Sequence, residues 1–136
     1  MSGICDGRVI IVTGAGGGLG REYALAFGAA GAKVVVNDIN AQSAQKTVVD
    51  IQNTGGQAIA NTQDITNYEQ SASIVSEAIA NFGDLHGVVN NAGICRDRMF
   101  ASMTEEEWDQ VIAVHLKGHF CISSHAVHYW RDQFKQ

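Results

Sequence analysis

The run Val9-Ile10-Ile11-Val12 passes into Thr13-Gly14-Ala15-Gly16-Gly17-Gly18-Leu19-Gly20, and the helical pattern Tyr23, Ala24, Phe27, Ala30 follows directly. This is a strand, a glycine turn and the start of a helix. Glycine has no Cβ, so the turn can be tight and its backbone can approach a bound group closely, while the first N–H groups of the helix lack intrahelical partners. Those donors, with a helix dipole worth about 0.3–1 kcal/mol near the surface, make the turn a candidate site for a dinucleotide pyrophosphate. The candidate cofactor contacts within it are Gly14, Gly18, Leu19 and Gly20. Glycine turns also join strands to helices where nothing binds, so a second residue has to decide.

Asp38 is that residue. It ends the next apolar run, Val34-Val35-Val36-Asn37, at about the 20-residue separation expected of an acid that binds the adenosine ribose. A carboxylate about 4 Å from a unit of phosphate charge is repelled by about 4 kcal/mol at an effective dielectric near 20, and by less in salt. Gly17 and Ile39, where a cation would approach a 2′-phosphate, are both neutral. The cofactor expected is therefore NAD and not NADP.

Working outward, apolar runs alternate with helical periodicity and no low-complexity linker intervenes. The strands read are Arg8 to Thr13, Lys33 to Asn37, Gln57 to Asn61 and His86 to Asn90. Helices from about Leu19 to Ala30, Ala41 to Thr54 and Asn67 to Phe82 connect them, each with a glycine at or near its end (Gly31, Gly55, Gly83). Strands joined by crossover helices make an α/β fold, a Rossmann-type doubly wound parallel sheet. In the third helix Ser71, Ile74, Val75, Ala78, Ile79 and Phe82 form one apolar stripe, and Thr66 with Glu69 reads as a capping box. A final helix starts at a second capping box, Thr104 with Glu107, and reads as running nearly to Gln136 through Val111, Ile112, Val114, Leu116, Phe120, Ile122, Tyr129 and Trp130. It is apolar on more than one side, so it wants two partners: the sheet, and either a further helix or a second subunit.

The 136 residues, 46% hydrophobic and 17% charged, allow one domain, residues 1–136. The net charge of -5 and the absence of a Lys/Arg cluster argue against nucleic acid or an anionic membrane as partner. No apolar stretch approaches the roughly 20 residues of a membrane span. Cys5, Cys95 and Cys121 are odd in number and scattered, which fits reduced thiols, and with no signal segment the expected location is cytoplasmic.

With Asp64-Ile65-Thr66 after the third strand and Asn90-Asn91-Ala92-Gly93 after the fourth, the chain resembles the short-chain dehydrogenase/reductase family. Thr13-Gly14-x3-Gly18-x-Gly20 matches that family's form of the glycine loop. Asn91-Ala92-Gly93-Ile94 followed by Arg96-Asp97-Arg98, and Val114-His115-Leu116-Lys117-Gly118, look like the hydroxyacyl-CoA dehydrogenase part of multifunctional beta-oxidation enzymes and their bacterial relatives. The resemblance implies an adenine contact for Asp64 with the Ile65 backbone beside it, and has Asn90, Ala92 and Gly93 line the cofactor ribose. It also implies strand order 3-2-1-4 and a homo-oligomer acting on a small-molecule substrate.

The family's acid/base chemistry uses a serine on a fifth strand and a Tyr-x-x-x-Lys pair on the helix after it. Here Tyr23, Tyr68 and Tyr129 are followed four places on by Phe27, Ala72 and Gln133, so no catalytic residue is assigned. The chain reads as the cofactor-binding half of an oxidoreductase, moving hydride between NAD and a secondary alcohol or ketone such as a 3-hydroxyacyl-CoA. The alternative is a non-catalytic short protein that binds a nucleotide or pairs with a partner. His115 stands where the family commonly has asparagine. His115 and His119, one helical turn apart, lack a third ligand and read as polar packing, not a metal site. His125 and His128 read as surface or interface residues.

Overall fold

The computed structural model describes residues 3–136. Strands β1 (Val9–Thr13), β2 (Lys33–Asn37), β3 (Gln57–Asn61) and β4 (Gly87–Val89) form one parallel sheet in the order β3-β2-β1-β4. In register, Val9 to Thr13 lie beside Lys33 to Asn37, and those beside Gln57 to Asn61. The connections are α1 (Gly18–Ala29), α2 (Ala41–Asn53) and α3 (Tyr68–Phe82). This is the doubly wound sheet and strand order expected.

Side chains alternate across a strand, and the two faces of β1 and β2 accordingly build two cores. Ile10, Val12, Val34 and Val36 pack with Ala24, Ala44, Val48 and Ile51 of α1 and α2. Val9, Ile11 and Val35 pack on the opposite face with Ile74, Val75 and Ala78 of α3 and with Ile122 and Ala126. Both faces being covered explains why β1 reads as an unbroken apolar run. Edge strand β4 is only half-buried.

Three local expectations need correction. Helix α1 buries Gly20, Ala24 and Gly28, while Tyr23 is 40% exposed. Small residues set that face because the helix lies close on its neighbours: a Cβ on Gly28 would meet Ile51 Cγ2 at 2.8 Å. Thr66 and Glu69 form no capping box. The N–H and hydroxyl of Thr66 both donate to Asp64 Oδ1 at 2.8 Å, and Asn67 takes the cap, its side chain accepting from the Gln70 N–H. The final helix is not regular. Its capping box at Thr104 and Glu107 is present, but α4 (Glu105–Ile112) passes through a π-helical turn at 113–117 into α5 (Gly118–Phe134). That widened turn brings Gly118 onto Ile65, where a Cβ would stand 2.7 Å from Ile65 Cδ1.

The end of α5 is fastened to the entry of β4. Tyr129 donates its hydroxyl to Asp84 Oδ1 and the Trp130 indole donates to Leu85 O, both at 2.7 Å. The Tyr129 bond first, then the Leu85 N–H, hold the Asp84 carboxyl below its ordinary value of 3.8. A group whose pKa is lowered on folding adds stability that is present above the unfolded value and is lost as pH falls through the folded one. Thermal unfolding from pH 7 to pH 3 is therefore expected to show a shallower acid loss in Tyr129→Phe than in the wild type; parallel profiles would remove Tyr129 from the linkage.

Candidate cofactor site

The glycine turn is built by close approach. Gly14 has φ +63° and Gly18 φ +54°, the left-handed region that favours glycine. A Cβ on Gly14 would lie 2.8 Å from Ala92 Cα, and one on Gly20 2.2 Å from Gly14 O and 2.3 Å from Asn91 Nδ2. The turn thus sits directly on the segment leaving β4. Thr13 joins the two: its hydroxyl, fully buried, donates to Val89 O and accepts from the Asn91 and Ala92 N–H groups at 3.1 and 3.0 Å. Asn91 Nδ2 donates back to Thr13 O and Gly14 O. At the head of α1, Gly17 is extended and no side chain caps the helix, which leaves its leading N–H groups for a ligand.

Asp38 is tied to this turn. Its Oδ2 accepts from the Gly16 N–H at 3.0 Å and its Oδ1 from the Asn40 N–H at 2.9 Å. A carboxylate offers about four lone-pair directions, so acceptor capacity remains on both oxygens. Asp64 is held by Thr66 through Oδ1, and its own N–H donates to Gln70 Oε1.

Gly14, Asp38, Asp64, Ile65, Ala92 and Gly93 line one cleft of about 500 Å³, within the range of small-molecule sites. Gly18, Leu19 and Gly20 stand at the head of α1 instead, with Leu19 68% exposed. Asn90 is turned away from the lining: its Nδ2 donates to Ser123 Oγ at 3.0 Å, and its buried Oδ1 meets no donor among the described residues. The sequence reading missed Asn37, Gln63, Thr66 and Val114 on the cleft wall. For Asn37 a signal existed, a polar side chain closing an apolar strand next to Asp38. Among the described residues no Lys or Arg lines the cleft; Arg21 on α1 is committed to Asp50 and Thr47.

Two histidines brace the far wall. His115 Nε2 lies 2.7 Å from Ile94 O and 3.0 Å from Ile94 N, and His119 Nε2 lies 3.1 Å from Ala92 O. A Cβ on Gly93 would stand 2.6 Å from His115 Cε1, so glycine is what lets the imidazole reach the loop. His125 Nε2 meets Tyr68 O at 2.7 Å.

The family profile for short chain dehydrogenases matches residues 8–135. The chain belongs to the short-chain dehydrogenase family. Hydroxyacyl-CoA dehydrogenase ChsB1 of Mycobacterium tuberculosis is 46% identical, over 96% of this chain and 42% of its own length. A short chain dehydrogenase from Mycobacterium avium superposes with a TM-score of 0.94 at 51% identity, over 98% of this chain and 50% of that one. A 7α-hydroxysteroid dehydrogenase complexed with NADH and 7-oxo glycochenodeoxycholic acid gives a TM-score of 0.85 at 38% identity, over 90% of this chain and 48% of that one. The chain thus spans about half the length of each of these three proteins. The short-chain dehydrogenases are oxidoreductases that bind nicotinamide cofactors. The glycine cradle, which a Cβ would fill, and the acid beside it fit such a group. Among the described residues no helix is long and apolar enough to cross a membrane.

Proposed function

We propose that residues 1–136 form the cofactor-binding half of an NAD-dependent short-chain oxidoreductase. The observation that carries this reading is Asp38 bonded to the Gly16 N–H, which sets a carboxylate against the glycine turn at the cleft wall. NAD held there would accept or return a hydride at its nicotinamide. The N–H groups at the head of α1 bind the pyrophosphate, with Gly14, Gly18, Leu19 and Gly20 giving it room. Asp38 accepts from the ribose hydroxyls, Asp64 and the Ile65 backbone meet the adenine, and Ala92 and Gly93 shape the wall beside the second ribose, with Asn90 behind them bonded to Ser123. His115 and His119 hold that wall by its carbonyls.

The substrate class proposed is a secondary alcohol or ketone, first a 3-hydroxyacyl thioester, in keeping with the hydroxyacyl-CoA dehydrogenase relative. These 136 residues contain no Tyr-x-x-x-Lys, so the chain by itself binds dinucleotide and turns nothing over. Leu116, Phe120 and Val127, 67%, 62% and 55% exposed along one helical run, support self-association through that surface. The free cysteines Cys5, Cys95 and Cys121 fit a reducing, cytoplasmic setting.

Titration calorimetry tests the cofactor assignment. NAD is expected to bind at least about tenfold more tightly than NADP, and Asp38→Ala to bring the two within about threefold by weakening NAD and relieving the repulsion of a 2′-phosphate. A wild-type preference for NADP would overturn the assignment.

A further inference from the structure

Buried polar side chains at the ends of β2 and β3 form a chain that finishes in the cleft. Glu77 of α3 accepts from Asn61 Nδ2 at 2.6 Å. Asn61 Oδ1 accepts from Asn37 Nδ2 at 2.9 Å and from the Gln63 N–H at 3.0 Å, and Asn37 Nδ2 donates again to Gln63 O at 3.0 Å. A carboxylate or a carbonyl can only accept and a peptide N–H can only donate, so both amide orientations are fixed by their partners. Both Nδ2 atoms face acceptors, and Asn37 Oδ1 is left over. Asn37 is 2% exposed, lines the cleft, and meets no donor at Oδ1 among the described residues. It is a preset acceptor waiting for a ligand N–H or O–H.

Asp64 contributes a second acceptor to the same cleft. Thr66 occupies its Oδ1 through two bonds and leaves Oδ2 open. Two acceptors match a group that carries two N–H donors, as the 6-amino group of adenine does. A carbonyl oxygen in its place would face both acceptors with nothing to donate. We propose that Asn37 is a specificity-determining residue whose Oδ1 accepts from the adenine 6-amino group beside Asp64, selecting adenine over hypoxanthine in the bound dinucleotide. Asn61 and Glu77 are positioning residues that hold the Asn37 amide in this orientation. The inference rests on the cofactor reading above.

Calorimetry on the 136-residue chain, with NAD and nicotinamide hypoxanthine dinucleotide as probes, separates the two ideas. NAD is expected to bind about tenfold to a hundredfold more tightly, the range for one or two lost hydrogen bonds. Asn37→Ala is expected to weaken NAD about tenfold and leave the hypoxanthine dinucleotide unchanged, shrinking the ratio. Equal binding of the two probes by the wild type overturns the role of Asn37 and leaves the cofactor reading standing; binding of neither overturns both. A ratio unchanged in Asn37→Ala assigns the selectivity to Asp64 alone and also overturns the proposal. Should that variant not fold, the wild type with the N6-methyladenine analogue of NAD decides. A pocket that uses both amino hydrogens binds it about tenfold more weakly than NAD, and undiminished binding overturns the proposal.

Discussion

Gly20→Val is expected to destabilise the fold by about 3–5 kcal/mol and to remove dinucleotide binding. Position 20 is helical and buried, where a side chain normally improves helix propensity by up to about 1 kcal/mol over glycine. Here the sign reverses. The new Cβ would stand 2.2 Å from Gly14 O and 2.3 Å from Asn91 Nδ2, and Gly14 O is backbone that cannot swing aside. Relief requires α1 to lift from the turn. That costs about 1–3 kcal/mol of overpacking strain, and breaking the Asn91 bonds to Thr13 O and Gly14 O adds about 1 kcal/mol each. The same lift moves the N–H donors away from the pyrophosphate. Gly17→Ala is the control. Gly17 is extended at φ -163° and a Cβ there meets nothing within 4 Å, so urea unfolding should show only the cost of alanine at a helix N-cap, about 1 kcal/mol. A Gly20→Val chain as stable as Gly17→Ala would mean that the close approach of α1 to the turn does not matter.

Thr13→Val is expected to cost about 1–3 kcal/mol although the two side chains have the same shape. The fully buried hydroxyl serves Val89 O, Asn91 N and Ala92 N together. Its removal orphans the Ala92 N–H, while the Asn91 N–H and Val89 O keep their own bond at 3.0 Å; a buried group left unpaired costs about 1–3 kcal/mol. Thr13→Ser keeps the hydroxyl and loses one methyl, about 0.8 kcal/mol. The contrast is specific: the valine variant alone should show faster hydrogen exchange at Ala92 and weaker NAD binding, because that amide carries the cleft wall. Equal losses in the serine and valine variants would assign the effect to packing and dismiss the hydroxyl.

Both experiments probe the join between the glycine turn and the β4 exit, and that join was only half legible in the sequence. The turn itself was plain from Gly14, Gly18 and Gly20, because an apolar strand followed by glycines and a helical pattern is a local signal. The partner across it, Asn91, was visible as part of a motif but not as the group that fixes the turn. Asp38 was readable from its place at a strand end. Asn37, its neighbour, reads as one more residue of the strand until Asn61 and Gln63 are seen to hold its amide.

With the strand order supplied by the family resemblance, the amino-acid sequence by itself determined the four strands and the three crossover helices that make the sheet parallel. Those depend on the spacing of apolar residues and on glycines at helix ends, which act within a few residues along the chain. It also determined the family, since the glycine turn, Asp38, Asp64 and Asn90-Asn91-Ala92-Gly93 recur in order at strand ends. Tertiary structure alone decided that Asn90 turns to Ser123, that His115 of the π-helical turn and His119 of α5 reach the loop carbonyls, and that Asn37 lines the cleft with its amide nitrogen held by Asn61 and Gln63. A hydrogen bond between residues far apart in the chain has no period to read; its geometry exists only once two elements are packed side by side.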